Sequence, residues 1–268
     1  MSLKLHLYHS VESTCAQKVR IVLAEKDLPW HETRLNLRQG DQFNPEYLKL
    51  NPKAVVPTLV HDDRVIRESS VINEYLDDCF PDSALRPTSL YDRSRMRLLI
   101  KTIDDEAHPA IGILSYAVFL RHQMNELKSP DELAEHFNKV ADPARRERQM
   151  KTHEEGLRSP AAKSAINSLH KVISLLDAHL GENPWLAGQE FSLADAAALP
   201  YIFRARAINV DGLWEERANF QSWLTRGIDR VENLALDEPW GSASFHEMVA
   251  HHADSETKEI QKMVKSVG

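Results

Sequence analysis

The sequence predicts two unlike units in series: an α/β unit over residues 1–80, and an all-helical unit over residues 91–245. Three observations predict it. Apolar residues alternate at Leu3, Leu5 and Leu7 and then change to three- and four-residue spacing, the signature of a strand feeding a helix. The segment 80–89, Phe80-Pro81-Asp82-Ser83-Ala84-Leu85-Arg86-Pro87-Thr88-Ser89, has the Pro, Ser and Asp content of a connector. Beyond it nearly every apolar run has helical period.

The elements follow in order. After His9 the run from Ser13 sets Cys15, Val19 and Val22 or Leu23 on one face of a helix, with Ser13 or Thr14 suited to cap it and Asp27-Leu28-Pro29 to end it. Trp30–Leu35 reads as a second strand. A polar loop, 36–45, leads to a short helix at Glu46–Leu50 that stops before Pro52. Asn51-Pro52-Lys53-Ala54-Val55-Val56-Pro57-Thr58-Leu59-Val60 supplies the third strand, and Asp62-Asp63 turns it into an antiparallel fourth at Val65-Ile66. Ser69 or Ser70 can cap the next helix, in which Ile72, Tyr75 or Leu76, and Cys79 share a side.

The helical half opens with runs at Tyr91–Glu106 and Ala110–His122, where His108-Pro109 predicts a kink or break. Lys128–Ser159 is a polar helical insertion beginning with a capping box at Ser129 and Glu132. From Ser159-Pro160 a long helix carries Ala162, Ile166, Leu169, Ile173, Leu176 and Leu180 as a buried stripe. Ser192 and Asp195 cap an almost wholly apolar helix to Ala207, and Phe220, Trp223 and Leu224 mark one more. Residues 246–268 read as a polar tail, an exposed helix or frayed end.

Composition narrows the function. The net charge is −7 and no basic block occurs, which argues against nucleic acid or an anionic membrane surface as the main partner. Two cysteines, Cys15 and Cys79, are too few for a disulfide framework or a cysteine-rich metal site, and suit a reduced cytoplasm. No signal-like start and no apolar run of membrane-spanning length is present. His246 and His251 resemble a zinc helix motif, but their spacing of five puts them on different faces, so no metal is expected.

The stretch around Val56 carries the first functional hint. A proline entering a β-branched run belongs at a strand's start or edge and holds the preceding Val56 extended. The backbone groups of Val56 are then free either for solvent beside an ordinary edge strand, or for an extended peptide that pairs with the edge.

Taken together, four pieces resemble the cytosolic glutathione transferase superfamily: Ser13-Thr14-Cys15-Ala16-Gln17-Lys18-Val19-Arg20 at the first strand-to-helix turn, Asn51–Val60, Glu68-Ser69 before a helix, and Phe191–Asp195. The resemblance implies a thioredoxin-like first domain, a linker at 81–90, an all-α second domain and a cis bond before Pro57. It further implies a cytoplasmic homodimer acting in detoxification or aromatic compound degradation, with glutathione as cosubstrate and a hydrophobic electrophile.

In that family Ser13 matches the serine that donates to the glutathione sulfur, and the helix N-terminus adds partial positive charge. Lowering a thiol pKa from about 8.5 to about 6.5 takes about 2.7 kcal/mol, within reach of those two effects. Val56 and Pro57 match the ligand edge, Glu68 and Ser69 the γ-glutamyl site, and Gln42 and Lys53 the glycyl carboxylate site. Val11, His108, Ile111, Ser115 and Tyr116 are placed by topology at the substrate wall.

The Ser-x-Cys pattern also resembles glutathione-dependent reductive dehalogenases, which makes Cys15 a second candidate, as a thiol that forms a mixed disulfide with glutathione. Against this, its place on the apolar face with Val19 suits an inert core cysteine, the commoner case. The second half, from Glu68-Ser69-Ser70-Val71-Ile72-Asn73-Glu74-Tyr75-Leu76 through the Arg95–Glu106 helix to the insertion, resembles bacterial glutathione-dependent β-etherases. Those enzymes lack the Ser13-Thr14-Cys15 triplet in this form, so no catalytic residue is carried over from them. Three functions therefore stand: a glutathione transferase, a Cys15-based reductase or dehalogenase, and a non-catalytic binding protein of the same fold.

Overall fold

The computed structural model describes residues 4–140 and 142–267; Leu3, the start of the predicted alternation, lies outside them. β1 (Leu5–His9) points Leu5, Leu7 and His9 into the core. α1 (Thr14–Glu25) follows, then β2 (His31–Arg34), parallel to β1 with Leu7 opposite Glu32. After α2 (Pro45–Leu50), β3 (Thr58–His61) pairs antiparallel with β1, and β4 (Arg64–Arg67) pairs antiparallel with β3. The sheet order is β2-β1-β3-β4. Asp62 takes a positive φ of 54° in the predicted two-residue turn.

α3 (Ser69–Cys79) buries Ile72 and Leu76. Two details differ from the sequence reading. The residue in the N-cap position is Glu68, at φ 66° and with no side-chain cap hydrogen bond, while the Ser70 hydroxyl accepts from Lys18. Cys79 is exposed; Phe80, four residues beyond Leu76, packs against the core instead.

The connector makes a short 3-10 turn at Pro81–Ser83, and Ser89 caps α4 (Leu90–Thr102). The expected break at His108-Pro109 does not occur. The chain stays helical through a π turn at Ile103–Ala107, α5 (His108–Ser115), a second π turn at Tyr116–Leu120, and α6 (Arg121–Leu127). A proline lacks one N–H and its ring crowds the carbonyl four residues back; a wider turn just ahead of it relieves both.

The insertion forms α7 (Pro130–Asn138), with the Ser129–Glu132 capping box, and α8 (Pro143–Glu155). It is mostly solvated, but Phe137 is buried against His153, and His136 meets Phe43 of the first domain edge to face.

α9 (Pro160–Leu180) buries every residue of its predicted stripe. α10 (Leu193–Ala207) runs through the centre, with α11 (Ala218–Glu232) beside it. The stretch read as a polar tail belongs to a packed helix, α12 (Ala243–Lys265), which buries Phe245, Val249, Ala253, Ile260 and Met263. Its apolar residues recur at helical spacing among many charges, so mean polarity concealed a narrow stripe.

Asp195 anchors the second domain. One carboxylate oxygen accepts from the Leu186 N–H at 2.9 Å and the Trp223 indole N–H at 2.8 Å, the other from Ser192 N–H and O–H at 2.9 and 2.7 Å. Asp195→Ala would strand these buried donors, so a loss of roughly 3 kcal/mol or more is expected. It would be read as a lower urea midpoint at unchanged slope. A loss under about 1 kcal/mol would mean that water replaces the carboxylate.

Candidate functional site

The site forms where the loop after β1 enters α1, under the first turns of α5. That loop is pinned from behind. Gln17 donates to the Val11 carbonyl at 2.8 Å, and Arg204 of α10 donates to the Glu12 carbonyl at 2.9 Å. Arg204 also lies over the rings of Phe119 and Phe245, which ties α12 to the same loop. Ser13 turns the chain into the helix: its Oγ accepts from the Ala16 N–H at 3.3 Å. Its hydroxyl proton remains available at the positive end of α1.

Cys15, in the first turn, is half-buried. Its Sγ is 3.4 Å from His108 Nδ1 and 3.4 Å from the Tyr201 hydroxyl. One turn further along, the fully buried Lys18 places Nζ 2.7 Å from Asp104 Oδ1 and 2.8 Å from Ser70 Oγ. Burial pushes the Cys15 thiol up, but the hydrogen bond and charge of His108, with help from Lys18 and Tyr201, outweigh it and the thiol titrates below its ordinary value. His108 responds in kind: burial lowers it, Cys15 raises it, and the net direction is up. Burial drives Tyr201 well above the ordinary phenol value, so it stays a donor to the sulfur. Both directions favour the charged forms of the pair, thiolate and imidazolium.

The stretch that the sequence reading marked as a peptide edge enters β3. The Val56–Pro57 bond is cis. The Val55 carbonyl is held by Tyr47 at 2.6 Å and Asn51 at 2.9 Å. Val56 stands outside the strand pairing, which starts at Thr58, and its backbone groups make no loop or turn hydrogen bond among the described residues. Ser69 begins α3, half-buried.

Lys53 and Glu68, expected at opposite ends of a ligand, are paired with each other at 2.7 Å in an exposed bridge. Such an exposed pair is weak. Gln42 turns inward: its amide donates to the Leu37 carbonyl at 3.2 Å, while its buried Oε1 has no partner.

Among the expected wall residues, His108 and the half-buried Val11 flank the cluster, whereas Ile111 and Ser115 are buried on the same helix. Tyr116 is engaged with the insertion, its hydroxyl 3.1 Å from His153 Nδ1. Sequence reasoning missed Lys18, Ser70, Asp104 and Tyr201. The available signals were a lysine three residues from Cys15 on an otherwise apolar face, and a hydroxyl-bearing tyrosine in the apolar helix α10. No group of three or more His, Cys, Asp or Glu among the described residues is placed to hold a metal ion. No described helix is long and apolar enough to cross a membrane.

The ion pair has a direct readout. Alkylation of Cys15 by iodoacetamide should show a pH inflection below the ordinary thiol value, and His108→Ala should move it upward. A wild-type inflection at the ordinary value would mean that the pair is neutral.

Comparison with known proteins gives this geometry its context. Residues 12–79 match the family model of the glutathione S-transferase N-terminal domain, and residues 143–226 match that of the C-terminal domain. Glutathione S-transferase Z1 of Arabidopsis thaliana is 38% identical over 117 residues, 42% of this chain and 52% of the relative. The chain thus spans about half the length of that relative. Protein LigF of Sphingobium sp. (strain NBRC 103272 / SYK-6) is 27% identical over 193 residues, 71% of this chain and 75% of the relative. The crystal structure of β-etherase LigF from Sphingobium sp. strain SYK-6 superposes with a TM-score of 0.73 at 25% identity, covering 91% of this chain and 98% of that one. The two domain matches lie in chain order and between them take in more than half of the chain, which belongs to the glutathione S-transferase family.

Proposed function

We propose that this protein is a glutathione transferase that activates the glutathione thiolate for attack on a hydrophobic, aromatic electrophile. The observation that carries the reading is the start of α1. Ser13 uses its oxygen lone pair for the helix cap and keeps its O–H for an incoming sulfur, beside the N–H groups of the first turn. The free backbone of Val56 gives an extended tripeptide a pairing edge, and Glu68 and Ser69 lie beyond it for the γ-glutamyl end. A relative that is a β-etherase makes an aryl ether the leading electrophile. Conjugation and clearance of such compounds is the corresponding cellular role, in the cytoplasm.

Ser13→Ala should lower conjugating turnover by about 10²-fold, as removal of one donor to developing charge typically does, while glutathione affinity by calorimetry stays within a few-fold. Unchanged turnover would remove Ser13 from the mechanism. A wild-type chain that binds glutathione but turns over no electrophile would favour the non-catalytic binding protein.

A second reading rests on a separate observation, the contact of Cys15 with His108 and Tyr201. A thiolate held this way can attack a glutathionylated substrate or disulfide, so a thiol reductase or reductive dehalogenase is the alternative. Cys15→Ser that keeps full reductase and dehalogenase activity would end it.

A homodimer is part of the proposal. Leu90, Tyr91 and Leu98 on α4 and Val71 on α3 are 79%, 71%, 67% and 56% exposed, an apolar surface that association would cover. Leu98→Glu should shift the sedimentation equilibrium toward monomer; no shift would place the interface elsewhere.

A further inference from the structure

The Cys15–His108 contact leaves half of the imidazole unexplained. Nδ1 faces the sulfur, while His108 as a residue keeps solvent exposure and makes no other side-chain hydrogen bond among the described residues, so no described group holds Nε2. The same boundary holds the start of α1, where Ser13 would deliver the glutathione sulfur. A displacement there needs a partner across the cleft, because in-line attack puts the leaving atom on the far side of the carbon from the sulfur.

The geometry points to His108 as the general acid for this site, donating the Nε2 proton to the oxygen that departs from an ether substrate. This rests on the transferase reading and specifies its substrate class: ethers whose leaving groups are too basic to depart unassisted.

The step balances. The glutathione thiolate forms a C–S bond, the C–O bond breaks with its electron pair on oxygen, and the Nε2 proton moves to that oxygen to give a phenol. His108 is left neutral with its Nδ1–H still on Cys15. Solvent returns the Nε2 proton, matching the one lost when the glutathione thiol ionises. The direction is favourable, since an imidazolium is ordinarily a far stronger acid than a phenol, about 6.5 against about 10.

The groups facing His108 suit the task. From α1, the Cys15 thiolate favours the charged ring and Lys18 opposes it; from the first π turn, Asp104 favours it and also neutralises Lys18 at 2.7 Å; from α10, the Tyr201 ring packs 5.6 Å away, centroid to centroid. The neighbouring hydroxyls are poorer acids for this role. Tyr201 is buried and aimed at the sulfur, and Tyr116 is raised by burial and engaged with His153.

The experiment measures glutathione-dependent cleavage of aryl ethers that share one alkyl part and carry phenols graded from nitro- to methoxy-substituted. Wild type should depend weakly on phenol pKa. His108→Gln and His108→Asn, each checked by circular dichroism and thermal melting, should lose about 10²-fold or more on the methoxyphenyl ether relative to their own activity on the nitrophenyl ether, giving a steep slope. Wild-type turnover of the methoxyphenyl ether should also fall as pH rises through the His108 titration, and that limb should vanish in both variants. An equal loss across the series, or none, would overturn the role of His108. A wild type that conjugates haloaromatics but opens no ether would overturn the substrate class, and one that conjugates nothing would defeat the transferase reading itself.

Discussion

The interior cations of α1 hold the two domains in register, and the candidate site depends on them. Lys18 is fully buried with Nζ 2.7 Å from Asp104 in the second domain and 2.8 Å from Ser70 in the first. Arg20 donates to the main-chain carbonyls of Asp237 and Glu238, ahead of α12. Lys26 reaches Asp77 and the carbonyls of Phe80 and Ser83 in the connector. Removing such charges from water is so unfavourable that each must meet its acceptors in one geometry. A helix bound this way to α3, to the connector and to the second domain has little freedom to slide.

That rigidity passes directly to the chemistry. Cys15 and Lys18 are three residues apart on α1, and Asp104 and His108 are four apart on the facing helix, so the Lys18–Asp104 pair and the Cys15–His108 pair form two rungs between the same elements. The inner rung is an ion pair closed to solvent on the lysine side; the outer one is half open. A buried ion pair is a poor source of net stability, but it specifies one alignment well, and here the alignment matters because the reactive pair has one member in each domain. The Glu12 carbonyl after β1 is fixed from the same second domain, through Arg204.

Features written in local spacing were legible in the sequence, and those made by distant partners were not. Ser13 as a cap, the capping boxes at Ser129 and Ser192, the stripe of α9 and the Asp62-Asp63 turn each depend on residues within a few positions of one another. Val56 was singled out because proline constrains the residue before it whatever the rest of the chain does. Lys18 and Asp104 are 86 positions apart, and Cys15 and Tyr201 are 186 apart, so no window links them. Gln42 was placed from loop position alone, which does not say which way an amide turns. The final helix was missed because five buried residues among twenty-three are diluted by charge.

The π turn at Ile103–Ala107 sits immediately before His108 and absorbs Pro109 without a break. One residue of an α-helix corresponds to about 100° of rotation about its axis, so the extra residue in that turn sets the azimuth of everything after it. The wide turn therefore acts as an indexing joint. A one-residue deletion between 103 and 107 that restored regular winding would leave α5 helical yet swing the imidazole a quarter turn or more away from the sulfur. The same rotation would carry Ala110, Ile111 and Leu114 out of the core, so the wide turn ties the placement of the imidazole to the packing of α5.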